Sequence, residues 1–216
     1  YAGVTFNDAP DRRRIFIAWM SNWRYARVTP GEGWRGSMTI PRDLRLVNAA
    51  GHGIRLAQVP AAEVDSARTL IASKHDIVLH SSSTRLTLVD SRALDIVVDF
   101  EATDAEEYGL RLHTGGATYT TIGFKTAADE AFIDRRSSGS TAFHENFGSI
   151  LSGPLLKASG KNSLRVLLDS ESVEVFVNDG LTVLTAQVFP PEGGVIIEVY
   201  SISGKVVVSR VDIFTL

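Results

Sequence analysis

All three tryptophans of this 216-residue chain, Trp19, Trp23 and Trp34, lie between Arg14 and Leu46. The same stretch, RIFIAWMSNWRYARVTPGEGWRGSMTIPRDLRL, holds five arginines between its ends and is split by a Thr-Pro-Gly-Glu-Gly turn. The chemistry that suits this combination is carbohydrate binding. A sugar presents apolar C–H faces beside rings of hydroxyls, and proteins meet it with flat aromatic faces next to Asn, Arg and carboxylate groups. Asn22, Trp23, Arg24 and Tyr25 close an apolar strand and precede a long turn, which puts them at the rim of a sheet. Trp19 sits inside the apolar run and reads as packing.

Cleaving a glycosidic bond takes two carboxylates, about 5 Å apart for retention and farther for inversion. The acids near the tryptophans are Asp8, Asp11, Glu32 and Asp43. The first three lie in turn sequences and read as solvated side chains. Asp43 follows Pro41-Arg42 and is expected to pair with an arginine. No catalytic carboxylate is therefore assigned. His52, His75, His80, His113 and His144 form no closely spaced ligand set, so neither a metal nor another cofactor is expected. His144, beside Glu145, reads as a structural hydrogen-bonding residue. The chain has no Gly-x-Ser-x-Gly elbow and no glycine-rich phosphate loop. Asp134, Arg135 and Arg136 concentrate charge in a strand, which suggests an ion-pair knot at an interface, with part of a ligand site as the alternative.

These groups need a scaffold, and its pattern is strands throughout. Tyr1–Phe6, Arg14–Asn22, Ser37–Val47 and Gly53–Val59 read as four antiparallel strands, the content of one β-propeller blade. Residues 61–72 follow as a linker with a short helix: Pro60 precedes it, Glu63 falls in the first turn, and Val64, Ala67, Leu70 and Ile71 recur at helical spacing. Residues 73–216 carry a dozen candidate strands, from Asp76–Leu79 through Tyr119–Lys125 and Ser172–Val177 to Val206–Thr215. Gly115-Gly116, Asn178-Asp179-Gly180 and Pro190-Pro191 punctuate them, as in a two-sheet antiparallel sandwich. The fold expected is all-β, one blade followed by a concanavalin-like sandwich. A formal net charge of -3 argues against nucleic-acid or membrane partners, and the absence of cysteine excludes disulfides and thiolate metal sites. The chain opens directly on the strand-like YAGVTF and is expected to begin inside a larger architecture.

Four segments resemble one known family in the right order. YAGVTFND resembles the Phe-Tyr-Ala…Thr-Phe strand of the glycoside hydrolase family 32 β-fructosidases (invertases, inulinases, levanases). The tryptophan stretch, ending in WRGSMTIPRDL, resembles the segment that follows it. FIDRRSSGSTAFHENF and SLRVLLDSESVEVFVNDGLTVLTAQVFP are similar to two segments of the family's C-terminal sandwich. The resemblance implies a five-bladed propeller carrying the active site, with residues 1–60 as its last blade. It also implies retaining hydrolysis of β-fructofuranosyl bonds in sucrose or fructans. The family's Asp nucleophile, stabilising Asp and Glu acid/base lie in motifs expected upstream of Tyr1, so this chain would line the pocket without carrying the carboxylates. On the same basis Trp23 and Tyr1 are expected at the fructose pocket, with Asn22, Tyr25 and Trp34 as further substrate-binding candidates. The partner expected is a fructose-containing oligo- or polysaccharide. A lone blade would expose the faces that meet its neighbours, so a homodimer or association with the remaining propeller is expected too. Family resemblance favours an extracellular over a cytoplasmic bacterial location. The alternative reading is a non-catalytic, lectin-like or structural module.

Overall fold

The computed structural model describes all residues except 32–34, 102 and 157–160. Its first unit is an antiparallel meander of β1 (Val4–Thr5), β2 (Ile15–Ile17), β3 (Arg42–Ala49) and β4 (Gly53–Pro60), hydrogen-bonded in that order. A six-residue helix, α1 (Ala62–Ala67), leads out of it. Twelve strands follow: β5 (Thr69–His80), β6 (Ser83–Val89), β7 (Leu94–Phe100), β8 (Glu107–His113), β9 (Tyr119–Lys125), β10 (Glu130–Asp134), β11 (Ile150–Pro154), β12 (Asn162–Asp169), β13 (Ser172–Val177), β14 (Thr182–Gln187), β15 (Val195–Ile202) and β16 (Lys205–Thr215). They form two six-stranded sheets, ordered β11-β10-β9-β8-β15-β6 and β14-β13-β12-β7-β16-β5.

Alternation builds the sandwich core. Leu94, Ile96, Val98 and Phe100 point inward from β7, and Leu110, Leu112, Ile122 and Phe124 meet them from the facing sheet, all essentially solvent-free. In β16 the buried positions change phase, from Val206 and Val208 to Val211 and Ile213. The register against β7 shifts between Val208 and Arg210. The extra residue of that bulge keeps apolar side chains inward along both halves of the strand, where an unbroken alternation would have turned one half to solvent.

Two expected boundaries move. The second and third blade strands were expected over Arg14–Asn22 and Ser37–Val47. The regular ladder instead covers only Ile15–Ile17 and starts again at Arg42. The Ala18 N–H is taken by Thr39 Oγ1 at 3.0 Å, and only an isolated bridge, Trp19 to Met38, continues the pairing. Residues 69–72, expected as linker, open β5. Leu70 and Thr69 pair with Phe214 and Thr215 of β16, so sheet formation overrides the helical spacing of Leu70 and Ile71.

The blade docks on the outer face of the β14–β5 sheet through polar groups. Arg42, 5% exposed, donates to Glu174 Oε2 at 2.5 Å, to Thr185 Oγ1 at 2.7 Å and to Gln58 Oε1 at 3.0 Å. The Ile40 N–H donates to the other Glu174 oxygen at 2.6 Å. At the helix, Arg165 grips fully buried Asp95 through two nitrogens and reaches Asp65 at 2.6 Å, while Arg68 reaches Asp95 at 3.0 Å. Arg13 holds Asp43 through Nε and Nη2, both at 2.9 Å, as expected for an arginine partner of that acid. Arg13 also clasps exposed Glu63 at 2.7 and 2.8 Å. Those hydrogen bonds hold the Glu63 carboxyl down at about 2, against an ordinary 4.5. Because the folded value is the lower one, this clasp contributes stability above pH 4.5 and loses it as pH falls through about 2. A carboxyl-carbon NMR titration is expected to place the Glu63 midpoint near 2, and Arg13→Gln to raise it toward the ordinary value, with the backbone hydrogen bond of Glu63 still holding it down in part.

Candidate carbohydrate-binding site

The residues between β2 and β3 are irregular but tied down. Trp19 N–H donates to Tyr1 O at 2.9 Å, Met20 N–H to Ser37 O at 2.7 Å, and Thr39 N–H to Ala18 O at 2.8 Å. These bonds bring Tyr1, Trp19 and Trp23 into one cluster. The Tyr1 ring stands edge-on to both indoles, with centroids 6.0 Å from Trp19 and 6.2 Å from Trp23, and the two indoles lie 5.0 Å apart. Edge-to-face and tilted pairs at these distances are favourable aromatic geometry. Tyr1 and Trp23 remain 72% and 63% exposed, while Trp19 is half-buried between them. Gly36 lets Trp19 lie flat: its φ is +99°, and a Cβ there would stand 2.8 Å from the indole nitrogen. The result is a two-ring apolar shelf backed by a packed third ring. Trp19 is packed within the cluster, and Trp23 is presented outward.

Asn22 and Tyr25 stand outside the aromatic cluster but line one cavity with Tyr1 and Trp19. Asn22 shapes the turn beneath the shelf: its side-chain oxygen accepts the Arg24 N–H at 3.0 Å, and its carbonyl accepts the Tyr25 and Ala26 N–H groups. Tyr25, 8% exposed, belongs to a seam cluster with Phe143, Phe147 and Phe189. Its hydroxyl accepts from Arg135 Nη2 at 3.1 Å, and its ring lies edge-on to Phe147, with centroids 5.2 Å apart. Trp34 lies outside the described residues. His144 packs its ring near Tyr25 and accepts the Asn146 N–H through Nδ1 at 3.1 Å, a structural role. The expected knot at Asp134–Arg136 splits: Asp134 pairs with Arg136 at 2.6 Å near the surface, and Arg135 alone turns into the seam.

Behind the shelf, between blade and sandwich, lies a cavity of about 400 Å³. Trp19, Asn22, Arg42 and Gln58 line it from the blade, and Arg135 and Gln187 from the sandwich. Glu174 stands beside it through its bonds to Arg42, and burial pushes its carboxyl above the usual range despite the opposing Arg42 charge.

Sequence comparison decides the family. Residues 1–60 match the family described as glycosyl hydrolases family 32 N-terminal domain, and residues 63–215 match glycosyl hydrolases family 32 C terminal. The chain belongs to glycosyl hydrolase family 32. A levanase of Bacillus sp. (strain L7) is 35% identical over 220 residues, covering 100% of this chain and 24% of the levanase. A levanase of Bacillus subtilis (strain 168) is 33% identical over 222 residues, covering 100% of this chain and 33% of that protein. Among solved structures, the exo-inulinase of Aspergillus awamori superposes with a TM-score of 0.91 at 31% identity, covering 100% of this chain and 43% of the exo-inulinase. The family 32 chain thus spans less than half the length of each of these relatives.

Sequence reasoning missed the seam residues Glu174 and Gln187. The signal was present for Glu174: in SVEVFV, strand alternation puts Val173, Val175 and Val177 on one face and Glu174 and Phe176 on the other. A glutamate on the second face of a strand so rich in valine needs a partner from outside the sheet. Gln187 ends β14 and carried no comparable mark.

Proposed function

We propose that this chain is the last propeller blade and C-terminal sandwich of a retaining glycosidase that cleaves β-fructofuranosyl linkages in sucrose or fructans, without the catalytic carboxylates. In this reading residues 1–60 are the blade, 61–72 the linker and 73–216 the sandwich. Tyr1 and Trp23 form one wall of the fructose pocket. The observation that carries it is the exposed Tyr1–Trp23 shelf, held on a β2–β3 connection in a chain whose full length aligns with levanases. In a propeller, the segment entering the innermost strand and the connection between the second and third strands share one end of the blade, which places both shelf residues at the same rim. The blade also carries Leu46, Ile54 and Leu56, which are 77, 71 and 49% exposed, with Leu46 directly opposite Leu56. Such an apolar patch supports a covering partner, the neighbouring blades or a second copy of the chain.

The test is calorimetric titration with inulin- and levan-type oligosaccharides. Trp23→Ala is expected to weaken binding about tenfold, a loss of about 1.4 kcal/mol, while leaving the unfolding midpoint nearly unchanged because the ring is mostly exposed. Equal binding by the wild type and the variant would remove the shelf from the pocket. Fructose release by the pure chain would overturn the assignment of the carboxylates elsewhere.

A further inference from the structure

Arg135 is 2% exposed and crosses the seam from the sandwich to the blade. The sandwich fixes its flat fork first. Nε donates to Phe147 O at 2.8 Å and Nη1 to Gln187 O at 3.2 Å, and the guanidinium carbon lies 4.0 Å from the Phe147 ring centroid. Two main-chain carbonyls and a ring face set the plane of the group, so its third nitrogen has a set direction. That nitrogen, Nη2, donates to the Tyr25 hydroxyl of the blade at 3.1 Å. Among the described residues no carboxylate pairs with Arg135, and the adjacent Asp134 is held by Arg136 at 2.6 Å.

On the blade side this bond acts on a short closed turn. Asn22 O accepts the Tyr25 and Ala26 N–H groups, Asn22 Oδ1 accepts the Arg24 N–H at 3.0 Å, and Tyr25 O accepts the Val28 N–H. A turn closed in this way moves as one piece, and Trp23 rides on it between Asn22 and Tyr25. Tyr25 is buried and Trp23 is mostly exposed, so one side chain roots the turn and the other is its outward face. The rings beside Trp23 are Trp19, 5.0 Å away, and Tyr1, which is itself largely exposed.

We propose that Arg135 is a positioning residue for the aromatic shelf: through the Tyr25 hydroxyl it sets the angle at which Trp23 is presented to a bound sugar. This role rests on the proposed fructosyl-binding shelf for its ligand but not for its geometry. A sugar face stacks on an indole held at one angle and height, so a turn free to rock weakens binding without removing any group that touches the ligand. Lysine carries a point-like ammonium in place of the planar fork and cannot hold both carbonyls and the hydroxyl in this arrangement.

The test uses the chain labelled with fluorotryptophan, its Trp23 fluorine signal assigned by Trp23→Phe, together with Tyr25→Phe, Arg135→Lys and the double variant. Tyr25→Phe keeps the ring that packs on Phe147 and removes the hydroxyl alone. Well below the unfolding midpoint, each single variant is expected to shift or broaden the Trp23 signal and to move that of Trp19 less, since the Trp19 N–H is bonded within the blade to Tyr1 O. The double variant is expected to move the Trp23 signal no further than Tyr25→Phe alone, because both changes cut one bond. Affinity for levan- and inulin-type oligosaccharides is expected to fall about threefold in Tyr25→Phe. A lowered unfolding midpoint with an unmoved Trp23 signal would overturn the proposal and leave Arg135 as a packing residue, as would shifts that simply add in the double variant. If the wild type binds no oligosaccharide, the fructosyl reading of the shelf fails, and the fluorine signals still decide the positioning role. If Arg135→Lys fails to fold, the Trp23 signal of Tyr25→Phe decides it.

Discussion

Arg42→Met is expected to destabilise the chain by about 3–5 kcal/mol, read as a fall in the denaturant midpoint at constant slope. The size follows from what remains. Glu174 is 4% exposed, and Arg42 is its cationic partner. Removing the guanidinium leaves a buried carboxylate with the Ile40 N–H as its remaining donor among the described residues, and strands Thr185 Oγ1 and Gln58 Oε1 as well. Replacing both members, as Arg42→Met with Glu174→Leu, is expected to recover most of the loss, because a well-packed apolar pair can match a buried ion pair. The pH dependence separates this account from simple loss of packing. Glu174's folded value is already raised by burial, and without Arg42 it rises further. A carboxyl with a raised folded value favours the folded state at low pH and penalises it as pH rises through that value. The deficit of Arg42→Met is therefore expected to shrink on acidification. A pH-independent deficit would mean that the guanidinium acts through its packing over Phe176, whose ring lies 5.3 Å below it.

The seam does more than join two units. β1 has two residues and β2 three, too short a ladder to fix a sheet edge alone. The irregular residues that carry the shelf are instead anchored to the sandwich at both ends, at Tyr25 through Arg135 and at Ile40 through Glu174. The position of Trp23 therefore depends on the sandwich, although no sandwich residue forms the aromatic cluster. On the proposed function, this gives the C-terminal domain a role in positioning Trp23.

What the sequence made legible was what period and turn chemistry encode. Tyr119–Lys125 and Ser172–Val177 are strands at the expected bounds because alternation and flanking glycines or asparagines agree there. The helical spacing of Leu70 and Ile71 points to a linker, and the pairing of Leu70 and Ala72 with distant Phe214 and Ile213 makes the segment strand. The Trp19–Trp23 division could be read from position in the apolar run. The burial of Tyr25 could not: its place is set by Phe147 and Arg135, more than a hundred residues away. Seam contacts join segments remote in sequence, so local pattern can mark a residue that needs a partner, as at Glu174, without saying which residue supplies it.

Gly180→Ala tests the other half of the docking and is expected to cost about 2–4 kcal/mol. The Asn178-Asp179-Gly180 tip of the β13–β14 hairpin presses on β4. Gly180 O accepts the Gln58 N–H at 3.0 Å, and a Cβ on Gly180 would stand 1.8 Å from Gln58 O and 2.6 Å from the carbonyl carbon. Backbone cannot give way as a flexible side chain can. The tip cannot retreat either, since Asn178 fastens it to the sandwich: its side-chain oxygen accepts the Ser163 N–H at 2.8 Å, and its Nδ2 donates to Leu156 O at 2.9 Å. The φ of +78° adds conformational strain of about 1–2 kcal/mol for any residue with a Cβ. Gly116→Ala isolates that strain, because Gly116 has φ of +56° and open space where the Cβ would go. A larger loss at Gly180 than at Gly116, with faster hydrogen exchange at the Gln58 amide, is the expected pair of results. Equal losses would mean that the hairpin tip merely touches the blade and carries none of its docking.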